Sequence, residues 1–231
     1  MCIRDRAKNN KAPGEDGIPV ELFKTLPQTS SGRLADLFSR IWSTNSIPED
    51  FNEVLVIPIY KGKGDRAECG NYRVISLLST AAKILAKILL KRLQRVVDQW
   101  LPETQCGFRA ARSTMDMIFG MRQLQEKCRE QWQSLHLAFI DLEEAFDSIN
   151  RDALWIVLEK VRCPDSCVDI VRLLHTNTMA SVSISVAKTE EFPVRTGVKQ
   201  ECVLAPTLIA VYLSYVFDRA QQSSLEIDYR K

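Results

Sequence analysis

The chain has 231 residues, 45% hydrophobic and 26% charged, with 31 Lys/Arg against 29 Asp/Glu and a formal net charge of +2. This is a globular composition, enough for one or two domains. No apolar run approaches the roughly 20 residues that span a bilayer, and no signal peptide opens the chain, which sets aside a helical membrane protein. Seven cysteines, an odd number, include no C-x-x-C pair, and the closest spacing is Cys163 to Cys167. They indicate a reduced intracellular protein, in the nucleus or cytoplasm, without structural zinc.

The charge is unevenly spread. Residues 61–112 hold eleven Lys/Arg against four Asp/Glu, a local +7, whereas residues 135–170 hold three against eight, a local −5. A basic half beside an acidic pocket suits a protein that holds phosphate backbones next to metal ions, and patchy charge on an ordinary surface gives the same asymmetry.

Residues 1–10 show no usable pattern. Lys11-Ala-Pro-Gly-Glu-Asp-Gly-Ile-Pro19 is a loop. Pro19 suits the first position of a helix carrying Val20, Leu22, Phe23 and Leu26. A second helix carries Leu34, Leu37, Phe38, Ile41 and Trp42 at core spacing. Val54–Tyr60 and Tyr72–Leu78 read as two strands joined by the basic turn Lys61-Gly-Lys-Gly-Asp65, with Pro58 demoting the first to an edge or a bulge. The turn is either a solvated tip or a flexible cover for a triphosphate. A long helix over 80–99 turns Leu85, Ile88, Leu89, Leu93 and Val96 inward and leaves Lys83, Lys87, Lys91, Arg92 and Arg95 for solvent or nucleic acid. Ser113 and Asp116 form a capping box for the next helix.

The short apolar run Leu135–Ile140 reads as a buried strand closed by Asp141. Glu143, Glu144 and Asp147 follow within six residues, and Asn150 suits the N-cap of a helix with Leu154, Trp155, Leu158 and Val161 on one face. Four carboxylates at a strand-to-helix turn form an oxygen-rich site better suited to Mg2+ than to zinc. They read equally as a solvated loop and a helix N-terminus. Helices over about 151–161 and 165–176 lead to the alternating strand Ser181–Val186, which pairs with Phe192–Val194 as a hairpin. The final helix opens at Pro206 and is amphipathic, with Ile209, Tyr212, Leu213, Val216, Phe217 and Ala220 on its apolar side.

Five of these blocks, taken in order over about residues 11–217, resemble the reverse transcriptases of non-LTR (LINE-type) retrotransposons. Lys-Ala-Pro-Gly-x-Asp-Gly-Ile is similar to their opening motif. Ile-Pro-Ile-Tyr-Lys-Gly-Lys-Gly-Asp with Asn-Tyr-Arg-x-Ile-Ser-Leu-Leu is similar to the fingers hairpin, and Gln-x-Gly-Phe-Arg-x-x-Arg-Ser-Thr-x-Asp to the block that holds the template. Phe-Ile-Asp-Leu-Glu-Glu-Ala-Phe-Asp-Ser-Ile resembles the first palm motif, and Gly-Val-Lys-Gln-Glu-Cys-Val-Leu-Ala-Pro the second. The resemblance implies an α+β fold, the fingers and a partial palm of a right-hand polymerase without its thumb. The fingers-like region would be 11–134, and the palm, with inserted helices and hairpin, 135–222, between a leader (1–10) and a tail (223–231).

The resemblance further implies an RNA-directed DNA polymerase acting on dNTPs, an RNA template and a DNA primer or target, with two Mg2+ ions. Asp141 would be the catalytic metal ligand. Lys61, Arg73, Phe146 and Gln200 would contact the incoming nucleotide, and Arg109 and Arg112 the template phosphates. Val74, Glu201 and Ala205 depart from the family's Pro, Gly and Ser, and Glu201 is expected to hinder the approach of a triphosphate. The chain carries no Asp-Asp pair to complete a two-metal clamp, so it is expected to be inactive alone. The other reading is a catalytically dead nucleic-acid-binding protein derived from such an element.

Overall fold

A computed structural model describes residues 8–25, 28–184, 187–199 and 202–225. Its sheet is built on strand β1 (Glu53–Tyr60). On one side β1 pairs antiparallel with β2 (Tyr72–Leu77), from Leu55 opposite Leu77 to Tyr60 opposite Tyr72. On the other it pairs parallel with β3 (Thr178–Ile184), but only from Glu53 opposite Met179 to Val56 opposite Val182. Leu55 and Val56, paired on both sides, are therefore internal to the sheet. Pro58 falls beyond the described β3 ladder, where its missing N–H breaks no pairing on that side. The edge expected from Pro58 is thus a property of half a strand. The outer side of β3 carries β4 (Ala187–Lys188) and β5 (Phe192–Val194), both antiparallel, which gives the hairpin expected there. Ser185 and Val186 lie outside the described residues.

Helix α1 (Val20–Thr25) begins one residue after Pro19, and the expected Leu26 lies outside the described residues. Helix α2 (Gln28–Thr44) buries Ile41. Helix α3 (Thr80–Trp100) is capped by Ser79, whose Oγ accepts from Ala82 N, and it buries Leu85, Leu89, Leu93 and Val97. The 11–19 loop docks on its first turn. Thr80 Oγ1 donates to Ile18 O at 2.7 Å and Lys83 Nζ to Ala12 O at 3.0 Å. A Cβ on Gly14 would stand 2.5 Å from the backbone of Leu78 and Ser79, so only glycine fits that approach. Arg92 lies 3.9 Å over the Trp42 ring. Two of the five basic side chains expected at solvent or template are thus engaged within the protein.

Helix α4 (Thr114–Glu130) has the expected capping box, with both reciprocal bonds between Ser113 and Asp116, and it buries no side chain. Helix α5 (Arg151–Lys160) packs on α6 (Asp165–Leu173) and on α7 (Ala205–Leu225), and α3 packs on both α6 and α7. These four helices enclose the core with Val54 and Ala180 from the sheet. Helix α7 departs from expectation. Its first half is buried nearly all round (Thr207, Leu208, Ile209, Ala210, Val211), while Val216, Phe217 and Ala220 at the far end of the expected apolar stripe are exposed. A helix inserted by its N-terminal end is buried by depth along the axis, which periodicity does not report. No described helix is long and apolar enough to cross a membrane.

His175, just after α6, is buried against Trp155, with ring centroids 5.9 Å apart. Its Nδ1 lies 2.8 Å from Val171 O, a pure acceptor, so Nδ1 carries the proton, and Nε2 has no partner among the described residues. Burial draws its pKa from 6.5 down to about 3; the Val171 bond opposes this, and Lys199 and Arg151 reinforce it. The unfolded chain then binds the extra proton first as pH falls. Stability contributed by the neutral ring is full above about 6.5 and is lost as pH falls towards 3. Thermal melts across that window should show this acid-labile component in the parent and its loss in His175→Gln.

Candidate nucleic-acid interface

The acidic turn differs from the sequence expectation at its first step. Leu135–Ile140 is not a strand: residues 133–142 have no regular structure and pair with none of β1–β5. Phe139 is 81% exposed and Ile140 74%, and Asp141 is exposed rather than set at the lip of a sheet. High β-propensity needs a ladder to join, and no described strand lies alongside this run to receive it. The turn beyond it is well formed. Asp147 N and Ser148 N both donate to Glu144 O, with Glu144 in the left-handed region at φ 49. Asn150 caps α5 as expected, its Oδ1 accepting from Ala153 N at 3.0 Å.

A second loop is stapled to this turn. Gly197 N donates to Ile149 O at 2.9 Å and Val198 N to Phe146 O at 2.7 Å. Gly197 has φ 72, and a Cβ there would lie 2.5 Å from Asp147 Cα and from Phe146 O. Arg151 completes the junction. Its Nε donates to Gly197 O at 2.8 Å, and its terminal nitrogens to His175 O, Val194 O and Thr196 O. The two blocks that resemble the family's palm motifs, some fifty residues apart in sequence, therefore form one floor. Phe146 is half-buried against the core at this floor, beside the loop that runs on to Gln200. Gln200 and Glu201 lie outside the described residues.

Lys199 ties the floor to the sheet. It is buried, with Nζ 3.3 Å from both Phe51 O and Asn52 Oδ1, at the entry to β1. Burial lowers its pKa to about 8; Cys202 opposes the shift and Arg151 adds to it. The Asn52 side chain also donates to Leu173 O at 3.2 Å, so it joins the end of α6 to the loop, while its backbone carbonyl accepts from Met179 N of β3 at 3.1 Å. Sequence reasoning missed Arg151, Lys199 and Asn52. Arg151 carried a signal: a cation in the first turn opposes the helix dipole, which points to a partner elsewhere.

The basic hairpin lies at the other end of β1. Arg73 on β2 stands opposite Ile59, both exposed, so Arg73, Ile59 and, by continued alternation, Lys61 share one face of the ribbon. Lys61 Nζ donates to Gly70 O at 2.8 Å, and Gly62 and Gly64 supply the positive φ of the tip. Arg109 is turned inward: its guanidinium donates to Asp98 O at 2.7 Å and Pro102 O at 2.9 Å. Arg112 remains at the surface, paired with Glu103. The structure thus groups Lys61 with Arg73, places Phe146 at the separate floor, and uses Arg109 to close the end of α3.

The described residues do not fit the two Mg2+ ions that the fold family implies. No group of three or more acidic, histidine or cysteine side chains among them gathers closely enough to hold a metal, and Asp141 belongs to no such group. Acids do converge elsewhere: Glu15, Asp16, Asp50 and Glu53 line a hollow of about 290 Å3 with Ser79. Lys188 pairs with Glu15 there, and burial followed by the neighbouring carboxylates raises the pKa of Glu53. A wider cavity of about 930 Å3 lies behind Arg151, Trp155 and His175, away from Asp141.

Because Gly197 combines a left-handed backbone with contact on Asp147 and Phe146, Gly197→Ala should destabilise the fold by about 2–4 kcal/mol, from strain and overpacking together. Chemical denaturation at neutral pH measures it. Gly17→Ala is the control, having positive φ but open space around its Cβ, and should cost only the strain, about 1–2 kcal/mol.

The family model described as reverse transcriptase (RNA-dependent DNA polymerase) matches residues 59–229. The chain is 28% identical over 206 residues to the RNA-directed DNA polymerase from mobile element jockey of Drosophila melanogaster, covering 88% of this chain and 22% of that protein. It is 27% identical over 203 residues to the Transposon TX1 uncharacterized 149 kDa protein of Xenopus laevis, covering 88% and 15%. It is also 27% identical over 210 residues to the probable RNA-directed DNA polymerase from transposon X-element of Drosophila melanogaster, covering 90% and 23%. The chain spans less than a quarter of the length of these relatives. With nearly three quarters of its residues inside the family match, this chain belongs to the reverse transcriptase family and is similar to the polymerases of non-LTR, LINE-type retrotransposons.

Proposed function

We propose that this chain is the part of a LINE-type RNA-directed DNA polymerase that grips the template–primer and receives the dNTP, corresponding to fingers (11–134) and part of the palm (135–222). The observation that carries the reading is the hydrogen-bonded junction of the 143–150 turn with the 197–199 loop, two family blocks joined into one floor behind Phe146. In this reading Arg73 and Lys61 face the nucleotide phosphates from the hairpin, and Phe146 supports the sugar from below. Gln200 follows directly on the stapled loop. Arg112 offers a surface cation to the template, while Arg109 shapes the turn that presents it. Such positioning supplies much of the rate in phosphoryl transfer.

A second reading, a nucleic-acid-binding protein without catalysis, is favoured by one observation: Asp141 lies exposed outside any described strand and in no group of three or more metal-ligating side chains among the described residues. Both readings share electrostatic binding centred on the basic stretch. Affinity for an RNA–DNA template–primer should fall steeply with salt, roughly in proportion to the phosphates neutralised. Neutralising Lys61, Arg73 and Arg112 together should lower the salt slope by about 2–3 and weaken binding to all sequences alike, measured by fluorescence anisotropy. Arg109→Gln should instead lower the melting temperature. Binding that ignores salt, or sequence preference that survives the triple change, would sink the reading.

Both readings expect this chain alone to be inactive in primer extension, so any extension would count against the non-catalytic one. On an RNA template with Mg2+ and dNTPs the 231-residue chain is expected to give no product. Extension that disappears in Asp141→Ala would show that Asp141 acquires metal-binding partners once substrate is bound, and would restore the catalytic reading.

A further inference from the structure

The turn between α3 and α4 contains an unusual backbone. Phe108 has φ 56 and Ala111 φ 57, two non-glycine residues in the left-handed region within four positions. This conformation is disfavoured for a bulky side chain, and a glycine sits next door at position 107 without taking it. The surrounding structure determines the conformation. Arg109, with its side chain only 10% exposed, donates to Asp98 O and Pro102 O, and its Nε lies 3.9 Å from Asp98 Oδ1. Asp98 O is one of the carbonyls that the end of α3 leaves without an intrahelical partner, and a cation is favoured there by the helix dipole. Gln105 Nε2 donates to Gly107 O at 3.1 Å, Cys106 is buried, and Arg112 N closes on Arg109 O.

The result is a ring held out from a fixed turn. Phe108 is 68% exposed, so neither its burial nor its backbone accounts for a large apolar side chain at that point. Arg112, four positions on, keeps a cation at the surface beside Glu103, and both Phe108 and Arg112 belong to the stretch 61–112, whose local charge is +7. A cationic surface gathers a polyanion, and an exposed, rigidly presented ring offers what an unpaired base stacks on. We propose that Phe108 is a stacking platform for a base of a single-stranded nucleic acid, the strand that the basic stretch 61–112 attracts. The proposal rests on the reading of this region as a nucleic-acid interface and adds to it a residue that touches a base rather than a phosphate. A platform of this kind is indifferent to sequence, because every base has a π-face.

The test uses the whole chain and a short fluorescent oligoadenylate RNA, followed by anisotropy over a salt series. Phe108→Asn removes the ring, and asparagine tolerates positive φ, so the turn is preserved. It should weaken binding about tenfold, as loss of one base stack does, with the slope of log Kd against log salt unchanged and the melting temperature not lowered. Phe108→Trp should keep the affinity, and its added fluorescence should be quenched by the RNA. A fully paired RNA duplex should bind the parent and Phe108→Asn equally, since its bases are already stacked. Unchanged oligoadenylate affinity in Phe108→Asn, a lowered melting temperature, an altered salt slope or an equal loss on the duplex would each overturn the stacking role. A parent chain whose RNA binding is absent or independent of salt would instead overturn the underlying interface, and the stacking role with it.

Discussion

The guanidinium of Arg151 donates to the carbonyls of His175, Val194, Thr196 and Gly197, and through it the α6–β3 turn, the end of β5 and the second palm-like loop are all held to the start of α5. Three of these carbonyls, those of His175, Thr196 and Gly197, belong to backbone outside the helices and strands, and the fourth ends β5. A planar fork of five donors suits such a cluster, and the compact ammonium of a lysine does not reproduce it. Hydrogen bonds to a charged group contribute roughly 1.5–3 kcal/mol each, and removing their common donor would leave several acceptors unpaired at once. Gly197, pressed on Asp147 and Phe146, and Lys199, bonded at Phe51 and Asn52, extend the same junction towards the sheet.

That junction has a mechanical consequence for the interface. Asn52 and Lys199 meet at the entry to β1, and Lys61 follows its last residue, so the floor and the basic hairpin lie at two ends of one strand. Pairing with β3 stiffens the first half of β1, while the second half runs out with β2 alone and ends in a turn containing two glycines of positive φ. The strand is rigid at the floor and less constrained where the cations are. That gradient matches the separate demands of positioning a reacting group and accommodating a mobile polyanion.

Much of this architecture was legible in the sequence. The spacing of Leu85, Leu89 and Leu93 located α3, Ser113 and Asp116 located the start of α4, and Asn150 that of α5, because helix periodicity and capping are local properties. The run Leu135–Ile140 was misread for the converse reason. Its composition has the preferences of a strand, but a strand exists only with a neighbour, and composition does not supply one. Helix α7 was misread because a stripe of apolar residues reports which side is buried, not how far along the axis burial extends. The site was legible as blocks of family text and illegible as geometry. Nothing in the spelling of the Gly197 loop says that it bonds to Phe146 and Ile149, and Arg109, which reads as a phosphate contact, is occupied with the end of α3.

The parallel pairing of β1 with β3 also bears on how the chain reaches this state. The hairpin β1–β2 and helix α3 are local in sequence and can form early. The neighbour of β1 on its other side, by contrast, begins at Thr178, more than a hundred residues later. Closing a loop of that length carries an entropic cost that is repaid only when the ladder forms, and such non-local pairing is slow compared with helix formation. During synthesis, the apolar edge of β1 therefore waits uncovered until α5, α6 and β3 have emerged. Premature association of that edge is the hazard the fold has to outrun.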